Sequence, residues 1–398
     1  MNRNQFTILI ALVVIVGGLG LWQSRREKSS YQTSGGDLGQ KPFAKLAIND
    51  VAQIRLKNAD AEVNLVKNGD TWKVKERGDY PANYSSLADF LRKLTDVKVA
   101  QSEQVGPSQL PRLELVSPES GAKTNAATLV ELRDKGGKVL QSVLLGKKQT
   151  KQAASPSPFG GGDMAVGRWI KIGSGDSVAL VSDSLNEAEP KPADWLDKEF
   201  FKVEKARSVS VTRPEGTNSW SASKESESGS WKLADLKPGE EVDTNKVTAI
   251  GSPLSFPSFN DVVVDTKPAE TGADKPTTAK IDTFDNFSYN LSLAKGAQKG
   301  EEEIYNLTVS VTASFPKERT PGKDEKPEDK ARLDKEFKDK QDKLDEKLKQ
   351  EKKFENRVFA VTKWTVDALL KDRKDFLPEK KEEPKKEEGA GEEKKEQK

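Results

Sequence analysis

Apolar and polar residues alternate along much of the first half of the chain. VAQIRLK (51–57) and AEVNLVKNGDTWKVK (61–75) show the two-residue period of half-buried strands. TLVELRDKGGKVLQSVLLGKK (128–148) shows it on both sides of a glycine turn, and GRWIKI (167–172) with SVALVS (177–182) forms another such pair. These segments predict a series of antiparallel hairpins.

One segment between these strands has a helical period instead. In YPANYSSLADFLRKLTDVKVAQ (80–101), large apolar residues recur every three or four positions from Leu87 to Leu94. The serine-rich start of the segment can cap the first helical turn. We expect an amphipathic helix that packs its apolar side on the sheet.

The order of elements begins again after residue 205. The segments that repeat earlier ones are ARSVSVTR (206–213), SWSASKESESGSWKLA (219–234), a shorter helix within 241–263, AKIDTFDNFSYNLSLAK (279–295) and NRVFAVTKWTVDALLKDRKDFL (356–377). We match the last of these to the chain from Gly167 onward, and EEIYNLTVSVTASF (302–315) adds a strand before it. The pattern predicts an internal duplication with units of about 155–170 residues.

A tryptophan marks one hairpin in each unit. NGDTWKV contains Trp72 and SGSWKL contains Trp231, each shortly after a glycine. A large aromatic side chain between a sheet and a helix buries much apolar area. We therefore expect both residues in the core, with Trp169 and Phe359 as core residues of later strands. An aromatic platform for a ligand is the alternative for the first two.

The N-terminus carries the longest apolar run. FTILIALVVIVGGLGLW, from Phe6 to Trp22, has 17 residues and no charge. As a helix it reaches about 25 Å, near the short end for crossing a bilayer. We expect an uncleaved membrane anchor within residues 1–28, with Trp22 at the lipid–water interface. A cleaved signal peptide and a buried core helix are the alternatives.

The charges beside this segment leave its orientation open. Arg25, Arg26 and Lys28 follow it, which by the positive-inside rule favours a cytoplasmic body. A single N-terminal apolar segment commonly serves to send the following chain across the membrane. We therefore expect a single-pass plasma-membrane protein whose body faces the periplasm or the exterior.

A charge-rich segment interrupts the second unit. In KDEKPEDKARLDKEFKDKQDKLDEKLKQEKKFE (323–355), several acidic residues precede basic ones by four positions, a spacing that supports a solvated helix. Within it, Leu333, Phe337, Leu344 and Leu348 recur as two pairs offset by eleven positions. They form a stripe that is narrow for a long coiled coil. We expect a helix that projects from the domain between two strands, with a docking arm for a partner as the alternative.

Together the patterns predict an α+β protein with a transmembrane helix and two tandem modules of antiparallel sheet plus helix. The predicted parts are an anchor (1–28), a linker (29–42), a first module (43–205), a second module (206–378) and a tail (379–398). The tail is rich in Lys and Glu and cannot bury a core, so we expect it to be disordered.

Composition narrows the chemistry. The chain has 398 residues, 66 Lys plus Arg against 64 Asp plus Glu, and neither Cys nor His. It therefore cannot build Ser-His-Asp or Cys-His nucleophilic sites, Cys/His zinc sites, disulfides or a lipid-modified Cys anchor. A net charge of +2 gives no basic field for nucleic acid. The sequence singles out no catalytic, cofactor-binding or metal-ligating residue. A catalytic pair of carboxylates, of the kind that glycosidases use, stays an open alternative.

GDTWKV, PANYSSLADFLRKL and GKVLQSVLLGK carry a resemblance to a known family. The chain resembles the bacterial family called domain of unknown function 4340, well over residues 43–205 and loosely over 206–378. The resemblance implies a membrane-anchored protein and no particular catalytic residues. It also implies a partner complex, since some relatives are similar to auxiliary subunits of gliding-motility-type ABC transporters.

These observations lead us to expect a non-enzymatic, membrane-anchored extracytoplasmic protein that binds or scaffolds protein partners without a cofactor. An ABC-type transport complex is the candidate partner. Two alternatives stay open: a carboxylate-dependent extracytoplasmic hydrolase that acts on envelope polymers, and a structural surface protein.

Overall fold

A computed structural model describes residues 32–33, 37–151, 164–248, 250, 254–264, 275–298, 300, 302–322 and 325–378. The predicted membrane segment, with Trp22, and the predicted tail (379–398) lie outside these residues. Within them, no helix combines the length and the apolar character needed to cross a bilayer. The chain divides into two compact units, Met1–Glu199 (unit 1) and Phe200–Lys398 (unit 2), a few residues before the boundary expected from the sequence.

Unit 1 is built on one antiparallel sheet. Its described strands are β1 (Gln32–Thr33), β2 (Gln53–Lys57), β3 (Glu62–Asn68), β4 (Thr71–Val74), β5 (Tyr80–Pro81), β6 (Val99–Gln104), β7 (Thr128–Arg133), β8 (Val139–Lys151), β9 (Met164–Ile172) and β10 (Ser177–Val181). They lie in the order β1-β6-β10-β9-β8-β7-β2-β3-β4-β5. Helix α1 spans Tyr84–Asp96, and 3-10 helices occupy Ile48–Asp50, Lys75–Arg77, Pro107–Leu113, Pro118–Ser120, Asn186–Ala188 and Pro192–Trp195.

Helix α1 forms where the helical period predicted it. Its cap is Asn83, whose side chain accepts a hydrogen bond from the Ser86 N–H at 3.0 Å, and such a cap contributes about 1 kcal/mol. Its buried residues are Leu87, Phe90, Leu91 and Leu94, and on the sheet Ile54, Leu56, Val63 and Leu65 are buried as well. Burying each such side chain fully contributes about 1.5–3 kcal/mol, so apolar contact holds α1 in place.

Unit 1 also contains a smaller apolar cluster around Trp169. Trp169, which is 9% exposed, packs in this cluster with Val105, Leu115 and Val178. Its neighbour Ile170 is 0% exposed, and successive strand residues point to opposite faces of a sheet. Both faces of the sheet are therefore covered at β9, one of them by the chain that includes Val105 and Leu115.

Unit 2 is built on a second antiparallel sheet. Its described strands are β11 (Ala206–Thr212), β12 (Trp220–Ser223), β13 (Lys232–Leu233), β14 (Asp261–Val263), β15 (Thr277–Thr283), β16 (Phe287–Lys295), β17 (Ile304–Ala313) and β18 (Val358–Thr362). Its described helices are α2 (Thr244–Thr248), α3 (Pro327–Glu351) and α4 (Lys363–Leu370), with 3-10 helices at Lys352–Phe354 and Arg373–Phe376. Both sheets with their few helices place the protein in the α+β class.

The two sheets share one strand order. Unit 2 runs β14-β18-β17-β16-β15-β11-β12-β13, and the matching stretch of unit 1 runs β6-β10-β9-β8-β7-β2-β3-β4. One of our sequence matches is wrong, because β17 corresponds to β9 and β18 to β10. Helix α3 lies in the chain between β17 and β18, and this insertion separates two strands that are consecutive in unit 1.

The two marker tryptophans differ in burial. Trp72 lies on β4 and is 6% exposed. Trp231 is half-buried and precedes β13, a strand of two residues, so it lies outside the ladder that would hold it against the sheet. Its ring packs against Lys224, whose Nζ lies 5.7 Å from the ring centroid. The expectation of a core position is wrong for Trp231, and Trp220 on β12 is the buried tryptophan of this hairpin.

Helix α3 arises from the charged segment but does not simply project. Lys340 Nζ lies 3.9 Å from a carboxylate oxygen of Asp285, and Lys347 Nζ lies 2.7 Å from Glu204. The helix ends at Glu351, which is 5% exposed. Its C-terminal half is thus fastened to unit 2, contrary to the expected projection, because polar contacts add to the half-buried apolar stripe.

Phe359 lies on β18 at the centre of an aromatic cluster and is 0% exposed. Its ring centroid lies 4.7 Å from Phe200, 5.1 Å from Phe259 and 6.1 Å from Phe354. Aromatic pairs at these separations stabilise a core beyond their area burial, by about 0.5–1.5 kcal/mol each.

Candidate functional site

Unit 1 has an open groove between α1 and the chain that follows β10. Its volume is about 690 Å³. The residues that line it are Ser86, Asp89, Arg92, Lys93, Asp96, Val97, Ser182, Asp183, Asn186, Glu187, Asp194 and Trp195. Five of these side chains are carboxylates and two are cations, so we call it the acidic groove.

Ion pairs fix several charges of the acidic groove. Lys93 binds Glu187 across it, and the Lys41 ammonium lies 2.8 Å from Asp96. Burial alone would raise the pKa of Glu187, but the hydrogen bond from Lys93 holds it below the ordinary value. The hydrogen bond from Lys41 likewise lowers the pKa of Asp96. Both carboxylates are thus ionised at neutral pH and already paired with lysines, so neither suits general-acid catalysis.

The wall of this groove is firmly attached to the sheet. Trp195 is 3% exposed, and its ring meets Phe90 of α1 edge to face at 5.6 Å. The Asn83 N–H donates to the Trp195 carbonyl at 2.8 Å, and the Asp197 N–H donates to the Pro81 carbonyl at 2.9 Å. The groove therefore has a preformed shape.

Unit 2 has a groove of different chemistry, beside α4. Its volume is about 280 Å³, and its lining residues are Leu254, Ser255, Phe256, Pro257, Trp364, Thr365, Val366, Ala368 and Leu369. Phe256 is 80% exposed and Trp364 is 75% exposed, the highest values among the large apolar residues that the structure describes. We call this site the aromatic groove.

Local structure holds both sides of the aromatic groove. Trp364 lies in the first turn of α4, which follows β18 directly. The Thr365 hydroxyl donates to the Ser258 carbonyl at 3.2 Å and so ties α4 to the segment that carries Phe256. Leu254 has a φ of +60°, a left-handed conformation that costs a residue with a side chain about 1–2 kcal/mol. Such strain persists where the surroundings impose it, and it is concentrated at functional sites.

The two grooves occupy equivalent places in their units. One side of each groove follows the strand hairpin in the chain: it is α1 in unit 1 and the chain after α2 in unit 2. The other side follows corresponding strands, which are β10, paired with β6, and β18, paired with β14. The lining is mainly charged in unit 1 and mainly apolar in unit 2. The same architecture thus offers two different binding chemistries.

One face of the unit 2 sheet is rich in hydroxyl groups. Two rows of paired residues cross four strands there: Ser210, Lys280, Asn290 and Ser310 in one, and Thr212, Thr278, Ser292 and Thr308 in the next. In unit 1, Arg55 on β2 instead binds Glu131 on β7 and also Glu119, at 3.1 and 2.8 Å. The unit 2 face offers hydrogen-bonding groups, but the lining described for it includes no aromatic side chain.

Across the described ranges, no three carboxylates come together in a group that could hold a metal ion. The sequence singled out neither Phe256 nor Trp364. The pattern of apolar residues does not show which of them will be exposed in the folded protein. Phe256 and Trp364 also lie more than 100 positions apart, so the sequence does not show that they meet.

The fold and the grooves define the class: an α+β protein of two antiparallel-sheet units with the same strand order. A family model, Domain of unknown function (DUF4340), matches residues 72–276, just over half of the chain. The chain belongs to this family. Searches among curated proteins and among solved structures gave no match. The matched region starts at Trp72, contains the whole acidic groove, and includes the Phe256 side of the aromatic groove but not Trp364.

Proposed function

We propose that this chain is a non-enzymatic, membrane-anchored protein whose body lies outside the cytoplasm and binds or scaffolds a protein partner. An ABC-type transport complex is the candidate partner, through the family resemblance. The aromatic groove carries the proposal. Large exposed apolar side chains grouped at one groove are typical of interaction sites, whereas scattered single ones are not.

Two further observations support this proposal. The apolar run from Phe6 to Trp22 supplies a membrane anchor by its length and lack of charge. The shared strand order supports an origin of the two units by duplication, which gives one protein two equivalent grooves with different linings. A scaffold benefits from two such sites, because linked sites bind one partner more tightly than either site alone.

The charges of the acidic groove argue against the hydrolase alternative. A glycosidase-type mechanism needs a protonated carboxyl group beside an ionised one. Glu187 is paired with Lys93 and its pKa is lowered, so it cannot supply that proton at neutral pH. Asp96 is likewise paired, with Lys41, and its pKa is lowered, so neither of these two carboxylates is the acid of such a pair.

Two measurements on the full-length protein test the proposal. Protease added to intact spheroplasts should digest the body, whereas protection until lysis would place the body in the cytoplasm. Affinity purification from solubilised membranes should recover a membrane protein in fixed stoichiometry. Recovery should fall when Phe256 and Trp364 are both replaced by Ser, and stay unchanged for Tyr84→Ser, which replaces an aromatic residue of unit 1 that is 67% exposed. Equal recovery of the partner with wild type, the Phe256/Trp364 double variant and Tyr84→Ser would show that the aromatic groove does not bind the partner.

A further inference from the structure

We propose that the aromatic groove receives a short segment of the partner polypeptide, which inserts one large apolar side chain between Phe256 and Trp364. This inference rests on the proposed function and names the chemistry of the partner. Three features of the groove lead to it: its area, the charges on its rim, and its fixed walls.

The area is suited to a short segment and is too small for a folded surface. Phe and Trp side chains bury about 150–250 Å² each, and about three quarters of that is exposed here, so the pair offers about 200–400 Å². A stable interface between folded proteins buries about 800 Å² on each side. A second copy of this chain docked on the groove alone would fall well short of that value.

The shape and the rim favour a polypeptide over a lipid surface. The groove is concave, and Leu254, Val366 and Leu369 at its base are at most 5% exposed. Charges of both signs flank Trp364 on α4, with the side chains of Lys363 and Asp367 54% and 52% exposed. Segments that bind membrane surfaces carry an excess of Lys and Arg, whereas a mixed rim suits a peptide with polar groups of both kinds.

The walls are held before binding. The Thr365 hydroxyl bonds to the Ser258 carbonyl, and the Val203 N–H donates to the carbonyl of the strained Leu254 at 3.2 Å. Binding to a preformed groove loses less conformational freedom than binding to a flexible one. A small contact area can therefore still give a specific complex, through an anchor residue of the kind found in helix-in-groove recognition.

Photo-crosslinking tests the occupant directly. The photoreactive residue p-benzoylphenylalanine would replace Trp364 in the full-length protein, in cells that express it, with replacement of Tyr84 as the matched control. We expect a crosslink from position 364, absent from position 84, to a polypeptide at or next to a large apolar residue. A synthetic peptide that covers the crosslinked position should bind the purified full-length protein. Replacing its apolar residue by Ala, or Trp364 by Ala in the protein, should weaken binding at least tenfold.

The other outcomes overturn the inference. A crosslink to lipid would make the groove a membrane contact, and a crosslink to a second copy would make it a self-association site. A synthetic peptide that binds wild type and Trp364→Ala equally would also refute it. If purified membranes yield a partner but position 364 gives no crosslink, this inference fails and the proposed function stands. If no partner is recovered at all, both fail.

Discussion

The Tyr289 hydroxyl lies 2.6 Å from Oε2 of Glu351, the last residue of helix α3. Tyr289 is 0% exposed and Glu351 is 5% exposed, so this bond between a strand and the charged helix is inside the protein. The same hydroxyl lies 3.2 Å from the Lys202 carbonyl. The hydroxyl donates its single proton to the nearer acceptor, Glu351 Oε2, and the Lys202 carbonyl is a second, more distant acceptor for it.

Substitutions at Tyr289 and Glu351 should show that the hydrogen bond between them, and not the charge of Glu351, holds the end of α3 in place. Glu351→Gln keeps an acceptor for the Tyr289 hydroxyl and cannot ionise, so we expect a change in unfolding free energy below about 1 kcal/mol. Glu351→Ala and Tyr289→Phe each leave a buried polar group without its partner and should destabilise by about 1–3 kcal/mol. Urea denaturation of the full-length protein measures the total effect.

Amide hydrogen exchange locates the effect. Exchange should accelerate in residues 344–354 for Glu351→Ala and not for Glu351→Gln. An exposed acidic residue of the same helix, Glu346, provides the control, because Glu346→Ala should leave exchange unchanged. Equal acceleration in Glu351→Gln and Glu351→Ala would show that the charge itself is needed.

The same pair should make the stability of unit 2 depend on pH. Burial raises the pKa of Glu351, partly opposed by the Tyr289 hydrogen bond and the Lys347 ammonium, while Glu204 raises it further. An acid whose pKa is raised on folding binds more protons in the folded state, so its contribution to stability falls as pH rises from about 4.5 through the raised value. The free energy of unfolding of wild type relative to Glu351→Gln should therefore decrease as the pH rises above about 4.5. A difference that is constant with pH would contradict this.

The sequence correctly predicted elements whose hydrophobic pattern lies within a few neighbouring residues. It failed where the burial of a residue depends on segments far away in the chain. The period from Leu87 to Leu94 is enough to specify α1, because the residues that form its buried side lie within two turns. The burial of Trp231 depends on where β13 begins to pair, which its own neighbours do not show. Phe359 and Trp364 are five positions apart, yet one is 0% and the other 75% exposed. The chain changes from strand β18 to helix α4 between these two residues. Neither the two-residue period of a strand nor the helical period therefore covers both positions.

The two marker tryptophans should therefore differ in their contribution to stability. Trp72→Ala empties a core position and should cost about 3–5 kcal/mol. Trp231→Ala removes a half-buried ring and one contact with a lysine, which is worth about 0.5–1 kcal/mol at an exposed site. Urea denaturation of both variants compares them directly. Similar losses would mean that Trp231 packs in the core after all.

Gly146 on β8 should tolerate no side chain. A Cβ added there would lie 2.3 Å from the Leu113 carbonyl oxygen and 2.7 Å from the Leu115 side chain. Gly146→Ala must therefore push the 3-10 helix at Pro107–Leu113 away from the sheet, at a cost of about 1–3 kcal/mol. Gly175→Ala is the control, because a Cβ there meets nothing within 4 Å. In thermal unfolding experiments, we expect a lower melting temperature for Gly146→Ala and an unchanged one for Gly175→Ala.

Arg168 on β9 is a charged residue that is only 5% exposed, so its replacement should destabilise unit 1. Its Nε donates to the Gly146 carbonyl at 2.9 Å, and its other nitrogens lie 3.4 Å from acceptors on Thr128, Ser184 and Leu185. Burial lowers its pKa, while Glu189 and Glu114 act in the opposite direction.

Arg168→Met would remove the buried charge but leave the Gly146 carbonyl and its neighbours without donors. Each buried acceptor left unpaired costs about 1–3 kcal/mol, so we expect a loss of at least about 2 kcal/mol in the free energy of unfolding. Arg207→Met, at an exposed position of β11, should stay within about 0.5 kcal/mol of wild type. Urea denaturation of both variants gives the comparison. If Arg168→Met matched wild type, the desolvation of the guanidinium would cancel the hydrogen bonds it makes, and the chain around Leu185 would be held by its apolar contacts alone.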